Sequence, residues 1–310
     1  MGRGCCLRIL LTGATGFIGS HLARLLVSNN CEVYALVRKG SNLWRIEDIV
    51  PKLRLVRSDL LATDQLQHQL EKVRPDMCLH LAWYVVPGKY LTALENIDQL
   101  NASLHLASTL ASLGCKRFVS IGTCFEYDIG SERLSETSPV KPKTLYAASK
   151  LALQTVAEQI ANLTGMEFAW LRLFHLYGPF EPEPRLVPSV IISLLRNQVA
   201  RVTKGEQVRD FLHVEDVAAA IWAVAQSQLS GTVNIGSGQP VTVREIIERI
   251  GEIIGRRELI EFGGLAYNPS DPMFVCADNS KLKHNTAWVQ QYNLEQGLRQ
   301  TIEWWRGYLR

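Results

Sequence analysis

Short apolar runs alternate with longer helical patterns through the first half of the chain. Arg8 to Thr12, Glu32 to Val37, Leu53 to Arg57, Met77 to Leu81, Arg117 to Ile121 and Glu167 to Leu173 read as strands. Between them, Phe17 to Ser28, Thr63 to Val73, Leu91 to Leu113 and Leu145 to Leu163 read as helices. Strands that alternate with helices imply right-handed crossovers, and hence an α/β chain with a doubly wound parallel sheet. Such a sheet binds ligands at the carboxyl ends of its strands. After Arg172 the pattern changes, and Pro179, Pro182, Pro184 and Pro188 break the chain into a loop-rich stretch with short helices. The reading is a nucleotide-binding domain over 1–172 and a smaller, mixed C-terminal substrate domain over 173–310. Phe211 to Ala225 and Thr232 to Ile235 are expected to return to the sheet, within about 208–236.

At 310 residues, 47% of them hydrophobic and 20% charged, the chain can bury a large core. A formal net charge of +3 and no dense Lys/Arg stripe argue against nucleic acid, yet tolerate an anionic small substrate. The seven cysteines are scattered, Cys5 and Cys6 are adjacent and so poorly placed to bridge each other, and no Cys-x-x-Cys pair points to a metal. This pattern suits a reducing, cytoplasmic setting. No run approaches the eighteen or so apolar residues of a membrane span. The short apolar run Leu7 to Leu11 leads directly into a glycine loop, unlike a signal peptide.

That loop is Thr12-Gly13-Ala14-Thr15-Gly16-Phe17-Ile18-Gly19. It follows the first strand and opens the first helix. Gly13 suits a tight turn with positive φ, Gly16 and Gly19 allow close approach, and the helix N-terminus offers free N–H groups to a pyrophosphate. In strand–turn–helix context this is a Rossmann-type nicotinamide-cofactor signature, with Thr15, Phe17 and Ile18 also contributing. At the end of the second strand, Arg38 stands where a carboxylate would bind the ribose hydroxyl of NAD. Arg38, with Ser41 beside it, suits a 2′-phosphate, so NADP(H) is expected over NAD(H). A solvated basic turn is the plain alternative. Asp59 and Leu60 follow the third strand, where Asp59 either meets the adenine amino group or caps a helix. Leu81, Ala82 and Trp83 end the fourth strand beside the expected cofactor, and the small Ala82 leaves room for it.

Tyr146-Ala147-Ala148-Ser149-Lys150 places a phenol and an ammonium four residues apart on one helix face. Reducing a ketone requires a proton donor at the carbonyl oxygen as hydride arrives, and such a pair can provide one. A tyrosine near pKa 10 is a poor acid/base in water, and a neighbouring Lys⁺ lowers that value. The spacing alone is common on surface helices. Its company is what matters: Thr123 follows the fifth strand, at the carboxyl edge of the predicted sheet. Tyr146 and Lys150 are therefore expected to touch the cofactor as well as the substrate.

Glycine loop, strand-end Thr and helical Tyr/Lys, in that order, resemble the extended short-chain dehydrogenases/reductases, the NAD(P)-dependent sugar-nucleotide epimerases, dehydratases and reductases. Thr123 four residues before Tyr127, the segment Arg209-Asp210-Phe211-Leu212-His213-Val214-Glu215-Asp216 and the segment Val233-Asn234-Ile235-Gly236-Ser237-Gly238 carry the resemblance further. It implies catalysis by Thr123, Tyr146 and Lys150 on a nucleoside-diphosphate sugar, with Arg209 on the diphosphate. The plain reading of Arg209 is an ion pair with Asp210 or Glu206. His213 and Asp216 read as structural, with Asp216 suited to a helix N-cap. A homodimer through the two long helices is also implied, with Leu100, Leu104 and Ala107 on one face and Leu151, Thr155 and Ala161 on the other.

Departures from the family pattern narrow the reaction. Family 4,6-dehydratases follow the Thr with Asp and Glu, whereas Cys124 and Phe125 stand here, so dehydration is not expected. The 3,5-epimerase/reductases carry a Cys two residues before the Tyr and a His after Tyr-Gly-Pro. Phe125 and Phe180 occupy those places. His175 replaces an Asn near the sugar phosphates, either bonding substrate or simply packing. Cys124 lines the pocket before it acts as a thiol. In Tyr267-Asn268-Pro269-Ser270-Asp271-Pro272, Asn268 replaces a nucleotide-binding Arg. Arg185 is placed to compensate, and Asp271 counts among the substrate contacts. The expected activity is NADPH-dependent reduction of a nucleoside-diphosphate 4-keto-6-deoxy sugar. A 4-epimerase is the alternative, and a non-catalytic NADP-binding regulator the third reading.

Overall fold

The computed structural model describes residues 7–130, 132–269 and 271–310. Cys5, Cys6 and Ser270 lie outside the described residues. The chain runs through β1 (Arg8–Thr12), α1 (Phe17–Ser28), β2 (Glu32–Val37), β3 (Arg54–Arg57), α2 (Thr63–Val73), β4 (Met77–His80), α3 (Glu95–Ser112), β5 (Arg117–Thr123), α4 (Leu145–Thr164) and β6 (Glu167–Leu173). It continues through β7 (His175–Tyr177), α5 (Leu186–Leu195), β8 (Ala200–Val202), β9 (Val208–His213), α6 (Val214–Gln226), β10 (Gly231–Ile235) and β11 (Pro240–Thr242). The last elements are α7 (Val243–Ile254), β12 (Ile260–Phe262), α8 (Ser280–Asn285) and α9 (Leu294–Tyr308).

Seven strands form one parallel sheet in the order β10-β6-β5-β4-β1-β2-β3. Strand alternation sends β1 into two cores: Ile9 and Leu11 join the cluster that includes Leu22 and Leu26 of α1 and Ile221 of α6, while Leu10 joins Leu70 of α2, Leu106 of α3 and Leu153 of α4 on the opposite face. Strand order reverses between β1 and β4, the switch point at which such sheets take ligands. Helix ends are set locally. At α4, the Thr144 hydroxyl accepts from the Ala147 N–H at 3.2 Å, and Gly165 closes the helix in the left-handed region.

Several sequence boundaries shift. Helix α3 starts at Glu95 rather than Leu91, because the Leu91 carbonyl accepts the Tyr146 N–H at 3.1 Å. Strand β5 extends to Thr123, β3 begins one residue late, and β4 ends at His80. A 3-10 segment, Trp44–Lys52, with Pro51 inside it, was not anticipated. Of the later elements, β10 pairs with β6 in the main sheet, but β9 does not join it: it lies between β11 and β7 in a separate mixed sheet. Ala107 and Ala161 are buried in the core that α3 and α4 share with the sheet, so neither presents a face to a second copy. No helix among the described residues is long and apolar enough to cross a membrane.

The two late motifs meet in one interaction. Asp210, fully buried on β9, accepts from Ser237 N and Oγ (both 2.6 Å), Gly238 N (2.9 Å) and Ala277 N (3.1 Å). Gly236 permits the approach, since a Cβ there would lie 2.7 Å from Asp210 Oδ2. Removing the carboxylate strands three buried N–H groups, at about 1–3 kcal/mol each. Asp210→Ala is therefore expected to lower the thermal midpoint by roughly 6 °C or more, read by calorimetry against the unaltered protein.

Candidate active site

The crevice between β1 and β4 is built from backbone. Gly13, at φ 75°, packs so closely that a Cβ would lie 2.8 Å from Ala82 N and 2.9 Å from Leu81 C. A Cβ on Gly19 would penetrate the Gly13 carbonyl. Gly16 caps α1 with no side-chain hydrogen bond, leaving the first-turn N–H groups for a ligand. These features fit a dinucleotide pyrophosphate: Gly13, Thr15, Gly16, Phe17, Ile18 and Gly19 stand together at the mouth of α1, facing Leu81 and Ala82.

A buried polar string fixes that wall. Thr12 Oγ1 accepts from Leu81 N and Ala82 N, both at 3.1 Å. Its own hydrogen therefore goes to His80 Nδ1 at 2.8 Å, and His80 Nε2 donates to Ser103 Oγ at 2.9 Å, which donates to Gln99 O. The tautomer is assigned from these partners. Burial, aided by Lys150, brings His80 down to about 3, the neutral form that the string requires. Sequence reasoning missed His80, because a lone His in an apolar strand carries no pattern of its own.

At the end of β2, Arg38 is exposed and the Ser41 N–H closes a turn on its carbonyl at 3.1 Å. Asp59 is not a helix cap: its Oδ1 accepts from Leu61 N at 3.0 Å, and Ala62 occupies the cap of α2. Leu60 is buried beside it, in the core beneath β3.

The candidate catalytic set lies at the carboxyl edge of β5. Thr123 Oγ1 accepts from Phe125 N at 3.3 Å, so its hydrogen is available to another acceptor. Tyr146 and Lys150 both emerge from the first turns of α4 and are buried. Lys150 Nζ donates to Ile121 O at 2.8 Å and lies 3.8 Å above the Trp83 ring, whose Nε1 donates to Asn96 Oδ1. Tyr146 packs edge-on to Tyr90 at 4.9 Å between ring centres and to Trp83 at 6.5 Å. The expected lowering of the Tyr146 pKa by Lys150 is not seen. Burial, then Tyr90, Glu126 and Cys124, raise it well above its ordinary value, with Arg185 opposing. Burial brings Lys150 itself down to about 7, with Glu126 opposing. Desolvation outweighs pair attraction here because both groups leave water.

On the substrate side, burial pushes the Cys124 thiol up to about 12, which keeps it protonated and makes it a wall residue. Phe125 stands edge-on to His175, whose Nδ1 is buried without a partner and whose ring is held neutral, at about 3, by burial and by Arg209 and Arg185. Arg209 pairs neither with Asp210 nor with Glu206: its Nη2 lies 2.8 Å from Asp271 Oδ1, and Nη1 donates to Val208 O. The two predicted substrate residues Arg209 and Asp271 thus engage each other. Arg185 lies 5.5 Å from the Tyr90 ring and acts on both Tyr146 and His175, so it faces the catalytic set. Nearby Glu181, unrecognised in the sequence, is buried with Oε2 unpartnered, and burial lifts it to about 8. Asp216 is likewise not a cap: His213 Nδ1 caps α6 at 3.4 Å from Glu215 N, and Asp216 accepts from Gln291 N and Tyr292 N.

A glycine-lined nucleotide crevice beside a buried Thr, Tyr and Lys defines a dinucleotide-dependent α/β enzyme. The chain belongs to the NAD dependent epimerase/dehydratase family, whose description matches residues 9–236. It is a family of sugar-nucleotide epimerases and dehydratases. A probable dTDP-glucose 4,6-dehydratase from Sinorhizobium fredii is 27% identical, over 96% of this chain and 93% of its own length. The fold is that of the UDP-glucose 4-epimerase from Thermotoga maritima, solved with UDP-glucose, at a TM-score of 0.88 and 24% identity, covering 98% of this chain and 100% of that one. The UDP-glucose 4-epimerase from Thermus thermophilus, in complex with NAD, aligns at a TM-score of 0.84 and 25% identity, covering 97% and 99%.

Proposed function

We propose that this protein is an NADPH-dependent reductase of a nucleoside-diphosphate 4-keto-6-deoxy sugar, with Tyr146 as the proton donor at the C4 oxygen. The observation that carries this reading is the placement of the phenol. Tyr146 is buried against Tyr90 and Trp83 at the carboxyl edge of β5, on the same helix as Lys150, and like any tyrosine it carries its proton at neutral pH. Reduction of a ketone needs a proton donor at the oxygen, and the phenol placed beside Thr123 and Lys150 is the group positioned to give one.

The bound nicotinamide would supply the hydride. Thr123 directs its free hydrogen at the same carbonyl oxygen, holding it while Tyr146 transfers its proton. Lys150, seated on Ile121 O and the Trp83 face, stands one helical turn from the phenol. Arg185 is the cation for the sugar nucleotide nearest Tyr146. Glu181, lifted to about 8, stays largely protonated at neutral pH and does not cancel that charge. Arg209, already paired with Asp271, offers its remaining N–H groups as a second anion contact. Cys124 and Phe125 argue against dehydration, because neither a thiol at about 12 nor a phenyl ring can shuttle the proton that a carboxylate would. Exposed Arg38, with no carboxylate in its place at the end of β2, supports NADP(H) as the reductant.

A 4-epimerase is the second reading, favoured by the likeness to two UDP-glucose 4-epimerases. It uses the same three residues but needs Tyr146 as a base in its first half-reaction. A panel of nucleotide 4-keto sugars incubated with NADPH separates the two. One NADPH consumed per product is expected, whereas product formed without net consumption would establish the epimerase.

Two substitutions follow. Arg38→Asp is expected to reverse or abolish a preference for NADPH over NADH, measured by fluorescence titration, and equal affinity of the unaltered protein for both would refute the cofactor assignment. Tyr146→Phe is expected to lower turnover about a hundredfold or more while leaving NADPH binding intact. Near-normal turnover in Tyr146→Phe, with loss of activity in His175→Asn, would move the chemistry elsewhere.

A further inference from the structure

Beneath the proposed catalytic set lies a buried charge that the reaction as described does not use. Residues 122–126 leave β5 through a single 3-10 turn, and Glu126 at its end is fully enclosed. Its Oε1 accepts from Thr123 N at 2.8 Å, and Oε2 accepts from Arg172 Nε at 2.6 Å and Trp170 Nε1 at 3.0 Å. With Thr123 Oγ1 accepting from Phe125 N, this forms a reciprocal cap around Thr123. Arg172 is turned toward Gln154, at 3.0 Å on α4, and toward the Tyr127 ring at 4.3 Å. Room for the carboxylate exists because residue 122 is glycine: a Cβ there would lie 2.6 Å from Glu126 Oε1 and closer still to Trp170 Nε1.

Glu126 grips the backbone of the residue whose hydroxyl faces the substrate. Its charge also reaches across to α4. The groups acting on Tyr146 are Tyr90, Glu126, Cys124 and Arg185. On Lys150 the one acidic group acting is Glu126, and His80, which also senses Lys150, is neutral. Cys124, between them, senses Arg209, Glu126 and Asp210, and stays protonated. Arg172, Trp170 and Thr123 are the groups that hold Glu126 itself.

We infer that Glu126 is a positioning residue of the reaction: it fixes Thr123 through the backbone, and it sets a buried carboxylate on that N–H, two residues along β5 from the Ile121 carbonyl that holds Lys150. This rests on the reading of Tyr146 as proton donor. At this buried position the carboxylate favours the proton-bearing form of both Tyr146 and Lys150. Without it, Lys150 and Tyr146 each lose their proton at lower pH.

The test is Glu126→Gln, with Glu126→Asp as the conservative partner. In the cofactor-free protein, lysine labelled with carbon-13 at Cε reports the Lys150 titration by NMR, assigned with Lys150→Arg. Its midpoint is expected to fall by about half a pH unit or more in Glu126→Gln, and to return part of the way in Glu126→Asp. On turnover, kcat is expected to drop about tenfold with KM little changed, and the alkaline limb of the kcat profile to move down by about one pH unit. Should Glu126→Gln fail to fold, Glu126→Asp carries the test alone, with a Lys150 midpoint expected below that of the unaltered protein by a smaller step. A Lys150 midpoint equal to that of the unaltered protein, with only the thermal midpoint lowered, would make Glu126 a structural residue and overturn the inference. If no sugar nucleotide in the panel reacts, the proposed activity fails while the NMR titration still decides the role of Glu126.

Discussion

Burial of polar side chains at the carboxyl edge of the sheet is the constraint on which the rest of the molecule depends. Once they leave bulk water, most of them need a partner within the protein. Glu126 finds Arg172, Trp170 and the Thr123 N–H; Lys150 finds Ile121 O and the face of Trp83; Thr12, His80 and Ser103 satisfy one another. The same burial decides where protons reside. Tyr146 and Cys124 keep theirs, His80 and His175 stay neutral, and Lys150 is brought close to neutrality in solution terms. Charges that survive, such as Glu126 and Arg185, act through a medium that screens them weakly. Reactivity at this site is in that sense a property of packing.

Much of the frame was legible because it follows from local periodicity. β1, α1, β2, α2 and β6 have the bounds that their apolar patterns predict, and the glycine spacing after β1 marks the switch point. Where the reading missed, a long-range contact decided. Leu91 continues the apolar pattern of α3, yet its carbonyl is claimed by Tyr146 across the crevice. Phe211 to His213 look like a main-sheet strand, but pair with β7 and β11 instead. Arg209 found Asp271, some sixty residues on, where its nearer acidic neighbours were expected. The direction of the Tyr146 shift was misjudged for the same reason: Tyr-x-x-x-Lys is visible in sequence, but the burial that overrides the pair is not. Glu126 had no role in the sequence reading, because Arg172 and Gly122, which explain it, meet it only in space.

The fold is shared with epimerases and the sequence resembles a dehydratase, so neither settles the chemistry. What differs is a handful of side chains on the turn after β5 and in the proline-rich loop. Cys124 and Phe125 line the place where carboxylates serve dehydration. Arg185 brings positive charge toward Tyr146, and protonated Glu181 beside it leaves that charge uncancelled. On the proposed reading, these are the groups that would meet the oxygen of the ketone as hydride arrives.

The most direct measurement follows the hydride itself. NADPH carrying deuterium at the transferable position of the nicotinamide is incubated with a nucleotide 4-keto sugar, and the product is examined by NMR and mass spectrometry. The account predicts one deuterium at C4 of every product molecule, matched by one oxidised cofactor. A product without deuterium at C4, or deuterium at any other carbon of the sugar, would contradict it.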